Sequence, residues 1–335
     1  MPVIDMHAHW LPYEYRDAIA RCGEWHGMGA ESAEYDLVGM RLSATQRIDD
    51  MDALGVDMQM LSPQAGFYQY DRPAAVATVI ARECNDSILA VVEKFPERFL
   101  GVGTVPLQDI DASINEVKRI RALGLKGIMI GDHVCGSTYE EERFLPLWAA
   151  VEELGALVFF HQGFDQRYRI GKFHFDNSIG NLTEHALNYG VLAAGGVLDR
   201  FPGLKLMFAH SGGYIPYAVA RMDKVARGYS MDDPGRETRY IAPYQTVPAY
   251  VSTAKRLPSE YLRSFYYDCI SYSGKNLRFL IDAVGVDRVV YGSDLPCPMV
   301  LTEGVRWIEG LDELTDEEKR AILSDNATRL LGLET

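Results

Sequence analysis

The residues that could do chemistry in this 335-residue chain begin at position 7. His7 and His9 follow an extended apolar run, Val3 to Met6, and on a strand the period of two turns both imidazoles to one face. Two neutral imidazoles converging from one strand end make half of a zinc-type site. Such a pair asks for one or two more histidines and a carboxylate, each at the end of another strand. Three later apolar runs end in suitable residues: His161 after Phe159-Phe160, His210 in Ala209-His210-Ser211-Gly212-Gly213, and Asp294 in Gly292-Ser293-Asp294. Each has a plainer use on its own. His161 suits a satisfied core histidine, His210 a tight turn that the glycines permit, and Asp294 a helix cap, although Pro296 and Pro298 make a poor helix start. All the plain readings would have to hold together, so the set is read as a metal site.

The elements that must position these residues alternate along the chain. Strands are expected at Val56–Leu61, Phe99–Thr104, Gly127–Ile130, Leu157–Phe160, Leu204–Ala209, Phe265–Cys269 and Arg288–Tyr291, besides the first. Helices are expected at Pro73–Phe95, Ile110–Leu123, Phe144–Leu154, Leu182–Arg200, Tyr214–Arg227, Lys275–Ala283 and Asp316–Leu331, and from Thr45 to a stop at Gly55. Eight short apolar strands, each followed by an amphipathic helix, imply one α/β domain over residues 1–335, a closed (β/α)8 TIM barrel. No GxGxxG follows the first strand, which removes the main support for a dinucleotide fold. Long loops are expected at about 10–44, carrying a short helix at Tyr13–Arg21, and at 162–181 and 230–258, and chemistry at the C-terminal ends of the strands.

Composition narrows the partners. A net charge of -14 argues against nucleic acid, whose phosphates need a basic face. No apolar run approaches a membrane span, and five cysteines without CxxC spacing favour reduced thiols, so a soluble cytoplasmic protein is expected. Of the other histidines, His133 in Gly131-Asp132-His133 is a pocket candidate, His26 and His174 fall in the long loops, and His185, inside a helix, is read as structural.

The set His7-x-His9, His161, His210 and Gly292-Ser293-Asp294 resembles the amidohydrolase superfamily. More closely it resembles the branch holding aminocarboxymuconate-semialdehyde decarboxylase and the non-oxidative aromatic acid decarboxylases. The likeness extends through Arg47-Ile48-Asp49-Asp50-Met51-Asp52, Val105-Pro106-Leu107-Gln108, Gly196-Val197-Leu198-Asp199-Arg200-Phe201-Pro202 and Gly292-Ser293-Asp294-Leu295-Pro296. The resemblance implies one divalent metal, zinc ahead of manganese, held by His7, His9, His161 and Asp294, with His210 as the catalytic histidine beside it. Arg221 matches an arginine that reaches the neighbouring subunit's substrate carboxylate in a dimer, which makes a homodimer the expectation. Arg41 and Arg47 both fit a second carboxylate clamp. The fourth strand end has no lysine to bridge a second metal. Gln162-Gly163-Phe164-Asp165 stands where the semialdehyde decarboxylase has Pro-Trp, so the substrate wall differs.

Three neutral ligands and one carboxylate leave a divalent ion with residual positive charge. Such a centre serves either loss of CO2 from an unsaturated or aromatic carboxylic acid or hydrolysis of a ring-cleavage product, lactone or amide. His210 would give the proton or activate the water, Asp294 would ligate and shuttle a proton, and Arg221, Arg47 and His133 would bind a small anionic substrate.

Overall fold

The computed structural model describes residues 1–29, 42–163, 173–228 and 252–333. Eight parallel strands form the barrel: β1 (Ile4–Trp10), β2 (Met58–Pro63), β3 (Phe99–Gly101), β4 (Gly127–Ile130), β5 (Leu157–Phe160), β6 (Lys205–Phe208), β7 (Phe265–Asp268) and β8 (Val289–Val290). Regular ladders join β1 to β2 to β3, and β4 through β8 in chain order. Isolated bridges and backbone hydrogen bonds close the ring at two seams. Gly103 bridges to Ile128 between the third and fourth strands, and Met6 N–H donates to the Tyr291 carbonyl at 2.8 Å between the last and first.

Alternation along the strands sorts the side chains into two layers. Leu157 and Phe159 of β5 join Met6, Met60, Met129 and Met207 in an inner cluster, while Val158 and Phe160 pack outward against helical residues such as Val117, Trp148 and Leu280. The inner layer plugs the barrel, so the polar groups gather at its C-terminal rim.

The helices start and stop where local chemistry directs. Ser43 and Gln46 form a reciprocal capping box at the head of α1 (Ala44–Leu54), and Gly55 ends it in the left-handed region at φ 77°. The expected strand Val56–Leu61 lies two residues later, because Val56 still bonds back to Met51 of α1. The expected helix Leu182–Arg200 is two: α2 (Leu182–Ala194), then a turn at Val197–Arg200 after Gly196, whose φ of 71° no continuous helix permits. Within the expected loop 10–44, Tyr13–Ala20 is helical and Glu24–Trp25 pairs with Met28–Gly29. Arg41, Phe164, Asp165 and most of the expected excursion at 230–258 lie outside the described residues. No helix among those described is long and apolar enough to cross a membrane.

Candidate metal and catalytic site

All seven residues of β1 are buried, and its pairing with β2 shifts register between Asp5 and Ala8. Asp5 stands opposite Gln59, but Ala8 stands opposite Leu61, so three steps on β1 match two on β2. The extra residue parts Asp5 from the two histidines. Asp5 instead knits three strand ends: it accepts from Ser293 Oγ at 2.6 Å, Gln59 Nε2 at 2.8 Å and Ser293 N–H at 3.0 Å.

The three ring nitrogens nearest the backbone are each engaged. His7 Nδ1 meets Asp268 Oδ2 at 2.7 Å, His9 Nδ1 the Pro63 carbonyl at 3.2 Å, and His161 Nδ1 the Gln162 carbonyl at 3.1 Å. Carboxylates and carbonyls only accept, so each Nδ1 carries the proton and each Nε2 presents a lone pair. His7 Nε2 and His9 Nε2 face one another at 3.2 Å, and Asp294 Oδ1 lies 3.5 Å from the first and 3.3 Å from the second. Asp294 Oδ1 is buried and makes no hydrogen bond. One ligand atom from each of His7, His9, His161 and Asp294 falls within 4.8 Å of all the others. Four acceptors driven together in a buried site repel unless a cation lies among them, so this donor set fits a divalent metal.

The electrostatics agree. Burial drags the His161 imidazolium well below its usual range and lowers that of His9, which keeps both rings neutral and ready to ligate. Burial also opposes charge on His7, but the Asp294 charge and the Asp268 bond outweigh it and raise that group. Asp294 is held down at about 2: burial raises it, and His7 and the His9 contact more than compensate.

His210 follows β6 in four consecutive residues of positive φ, His210 at 52°, Ser211 at 57°, Gly212 at 69° and Gly213 at 58°. The two glycines are required twice over, since a Cβ on Gly212 would stand 2.6 Å from the Tyr267 ring and one on Gly213 2.5 Å from the Leu182 backbone. The strained turn aims the N–H groups of His210 and Ser211 at Asp268, at 2.9 and 2.8 Å, and sets the His210 ring 4.9 Å from that of His161. Burial lowers the His210 imidazolium to about 4, with His185 as the next cause. His210 lines a cavity of about 820 Å³ whose walls include Tyr214, Tyr217, Ile270, Tyr272 and Phe279.

The substrate-binding expectations fare differently. Arg47 is only 1% exposed, and its guanidinium donates to Gln59 Oε1 at 3.0 Å and to the His9 carbonyl at 3.3 Å. It therefore braces β1 against β2 through the His9 carbonyl and Gln59, and its guanidinium is buried and not open on the rim. Arg221 is exposed on α3 (Ile215–Gly228). His133 lines a second cavity of about 420 Å³ with Tyr68, Tyr70, Arg72 and Asp132. His174 is exposed, and His26 lies 3.1 Å from Glu83.

Sequence reasoning missed the surroundings of His185. Its ring is fully buried, with Nδ1 2.8 Å from Asp132 Oδ2 and Nε2 3.1 Å from His210 Nδ1. Asn188, one turn on, donates to Asp132 Oδ1 at 3.0 Å. The available signal was His185-x-x-Asn188 on the inward face of a helix, two polar residues where the period demands apolar ones.

Comparison with known proteins places this geometry. A profile described as amidohydrolase matches residues 4–333. The chain is 31% identical over 293 residues to 2-amino-3-carboxymuconate-6-semialdehyde decarboxylase of Dictyostelium discoideum, covering 86% of this chain and 76% of that one. It is 27% identical to gamma-resorcylate decarboxylase of Rhodococcus jostii (strain RHA1), covering 86% and 87%. A solved structure of 5-carboxyvanillate decarboxylase from Novosphingobium aromaticivorans, complexed with manganese and 4-hydroxy-3-methoxy-5-nitrobenzoic acid, superposes with a TM-score of 0.81 at 25% identity, covering 99% and 96%.

Proposed function

Because the chain belongs to the amidohydrolase family, we propose that it is a metal-dependent, non-oxidative carboxy-lyase acting on a small unsaturated or aromatic carboxylic acid. The observation that carries this reading is the acceptor-only cluster of His7, His9, His161 and Asp294, set beside His210 on an aromatic-walled cavity. The named activities of the similar decarboxylases support it.

The Nε2 atoms of His7 and His9, a nitrogen of His161 and Asp294 Oδ1 would hold one divalent ion. We assign zinc, which suits three imidazoles and a carboxylate, with manganese as the alternative that the carboxyvanillate decarboxylase carries. When bound, the ion supplies Lewis acidity to a carboxylate or neighbouring oxygen of the substrate.

The chain's residues do the rest. His210 Nε2, opposite the nitrogen that faces His185, takes a proton from solvent and delivers it to the carbon bearing the carboxylate. The carbon–carboxylate bond then breaks, its electron pair restores the unsaturated system, CO2 departs, and His210 is left neutral for the next proton. Tyr214, Tyr272 and Phe279 give a flat ring apolar faces to lie against. Arg221 reaches a neighbouring subunit's substrate in a homodimer, and His133 contacts substrate from the second cavity. The unpaired cysteines support a cytoplasmic setting.

Elemental analysis with a CO2-release screen of unsaturated and aromatic acids tests the reading. About one zinc per chain is expected, with CO2 release that falls by at least ~10³-fold in His210→Ala. One metal with no CO2 from any acid, but hydrolysis of a lactone or amide, would transfer the site to hydrolytic chemistry.

A further inference from the structure

We propose that Asp132 and His185 are positioning residues that fix the tautomer and the ring orientation of His210. The observation is a line of three side chains drawn from three elements. Asp132 follows β4, His185 sits in the first half of α2, and His210 follows β6. Their contacts run 2.8 Å from carboxylate to ring and 3.1 Å from ring to ring.

Each contact decides a proton. Asp132 is 3% exposed and His185 fully buried, so the carboxylate has little water to turn to. Asn188 donates to one of its oxygens, and His185 Nδ1 faces the other, off the line of a straight hydrogen bond. A carboxylate beside Nδ1 keeps the proton of a neutral imidazole on that nitrogen. His185 Nε2 then offers only a lone pair, so His210 Nδ1 must donate to it. The proton of neutral His210 is thereby confined to Nδ1, and Nε2 presents its lone pair to the large cavity.

A further consequence follows for proton traffic. When His210 takes a second proton at Nε2, its Nδ1–H still donates to His185, and the ring has no reason to turn. A catalytic imidazole that keeps one orientation in both charge states needs no reorganisation between taking a proton and giving it. Phe208 packs on His185 at a ring separation of 5.6 Å, which closes the apolar side of the same arrangement.

A buried histidine held only for packing would produce none of this directionality. The substitutions Asp132→Asn and His185→Phe separate the two roles. An asparagine at 132 turns its oxygen to Asn188 and its amide to His185, so the donor order along the line reverses. Phenylalanine at 185 fills the space and gives His210 no partner.

The experiment is long-range nitrogen NMR of histidine-labelled, zinc-loaded protein, followed by kinetics on the same samples. Wild type is expected to hold neutral His210 with the proton on Nδ1. Asp132→Asn should move it to Nε2, and His185→Phe should leave a mixture. The kinetic arm rests on the carboxy-lyase reading: kcat for CO2 release should fall ~10²-fold in His185→Phe with KM within about threefold, and His185→Gln, which restores an acceptor, should recover at least ~5-fold of that loss.

The two ideas fail separately. If the wild type releases CO2 but His210 keeps one tautomer in all variants, or if KM changes and kcat does not, the positioning role is overturned. If no acid yields CO2 while the tautomer responds as stated, the positioning role stands and the carboxy-lyase reading falls. Should Asp132→Asn or His185→Phe unfold, the other read by NMR alone decides, because each is expected to move the proton off a pure Nδ1 state.

Discussion

The barrel rim contains the same device twice, and the two copies end differently. In each, a buried carboxylate meets Nδ1 of a buried histidine, Asp268 with His7 at 2.7 Å and Asp132 with His185 at 2.8 Å. Asp268 also accepts from the N–H groups of His210, Ser211 and Ile270, so its charge is shared over four donors. Burial pushes that carboxyl up, but the His7 bond and charge hold it below its usual value. Asp132 has one amide and one oblique ring contact. Beyond the first histidine stand only acceptors; beyond the second stands another imidazole. A carboxylate–histidine pair therefore does one thing, presenting an Nε2 lone pair, and what lies across from it decides between holding a metal and ordering a proton.

Exchanging the insult between the two pairs should break the comparison most visibly. Asp268→Asn is expected to weaken metal binding by about 10- to 100-fold in a chelator competition, whereas Asp132→Asn should leave it within about twofold. Equal losses in both variants would mean that the pairs are not divided as described.

A second expectation concerns acid. His210 sits at about 4 in the folded protein against 6.5 for a free imidazole, so between those values the unfolded chain binds the extra proton. Its contribution to stability is therefore present above pH 6.5 and erodes as pH falls toward 4. Denaturant titrations of metal-free His210→Gln should show a stability profile flatter in that window, by at most about 1.4 kcal/mol per pH unit. An unchanged slope would place the erosion elsewhere, for example in His161, which burial also lowers.

The smallest effect belongs to the outermost partner. Asn188→Ala removes one neutral donor from Asp132 and should cost about 1–2 kcal/mol of stability in a urea midpoint, with kcat lowered less than fivefold. A drop as large as that of His185→Phe would show that Asn188 does more than hold the carboxylate.

Much of this architecture is legible in the chain because buried parallel strands are short apolar runs. Gly127–Ile130 and Leu157–Phe160 are found where the runs place them, and His161, His210 and Asp294 follow their strands. The remainder depends on partners distant in sequence. The register shift in β1 is set by β2, and without it Asp5 would share the face of His7 and His9. Arg47 looks like a rim cation until its guanidinium is found against the His9 carbonyl. His185 looks like one more helical position, since its meaning comes from Asp132, on another strand end, and from His210. The break after Ala194 is the exception, because Gly195-Gly196 was there to be read.

The Asp5–Ser293 bonds tie positions 288 residues apart, and the His7–Asp268 bond spans 261. During synthesis, His7 is made 261 residues before its carboxylate partner Asp268. Over that stretch the imidazoles of His7 and His9 have no finished site to enter. A metal could find the full set of ligands only once Asp294 is made, and a product that stops short of it would lack the carboxylate.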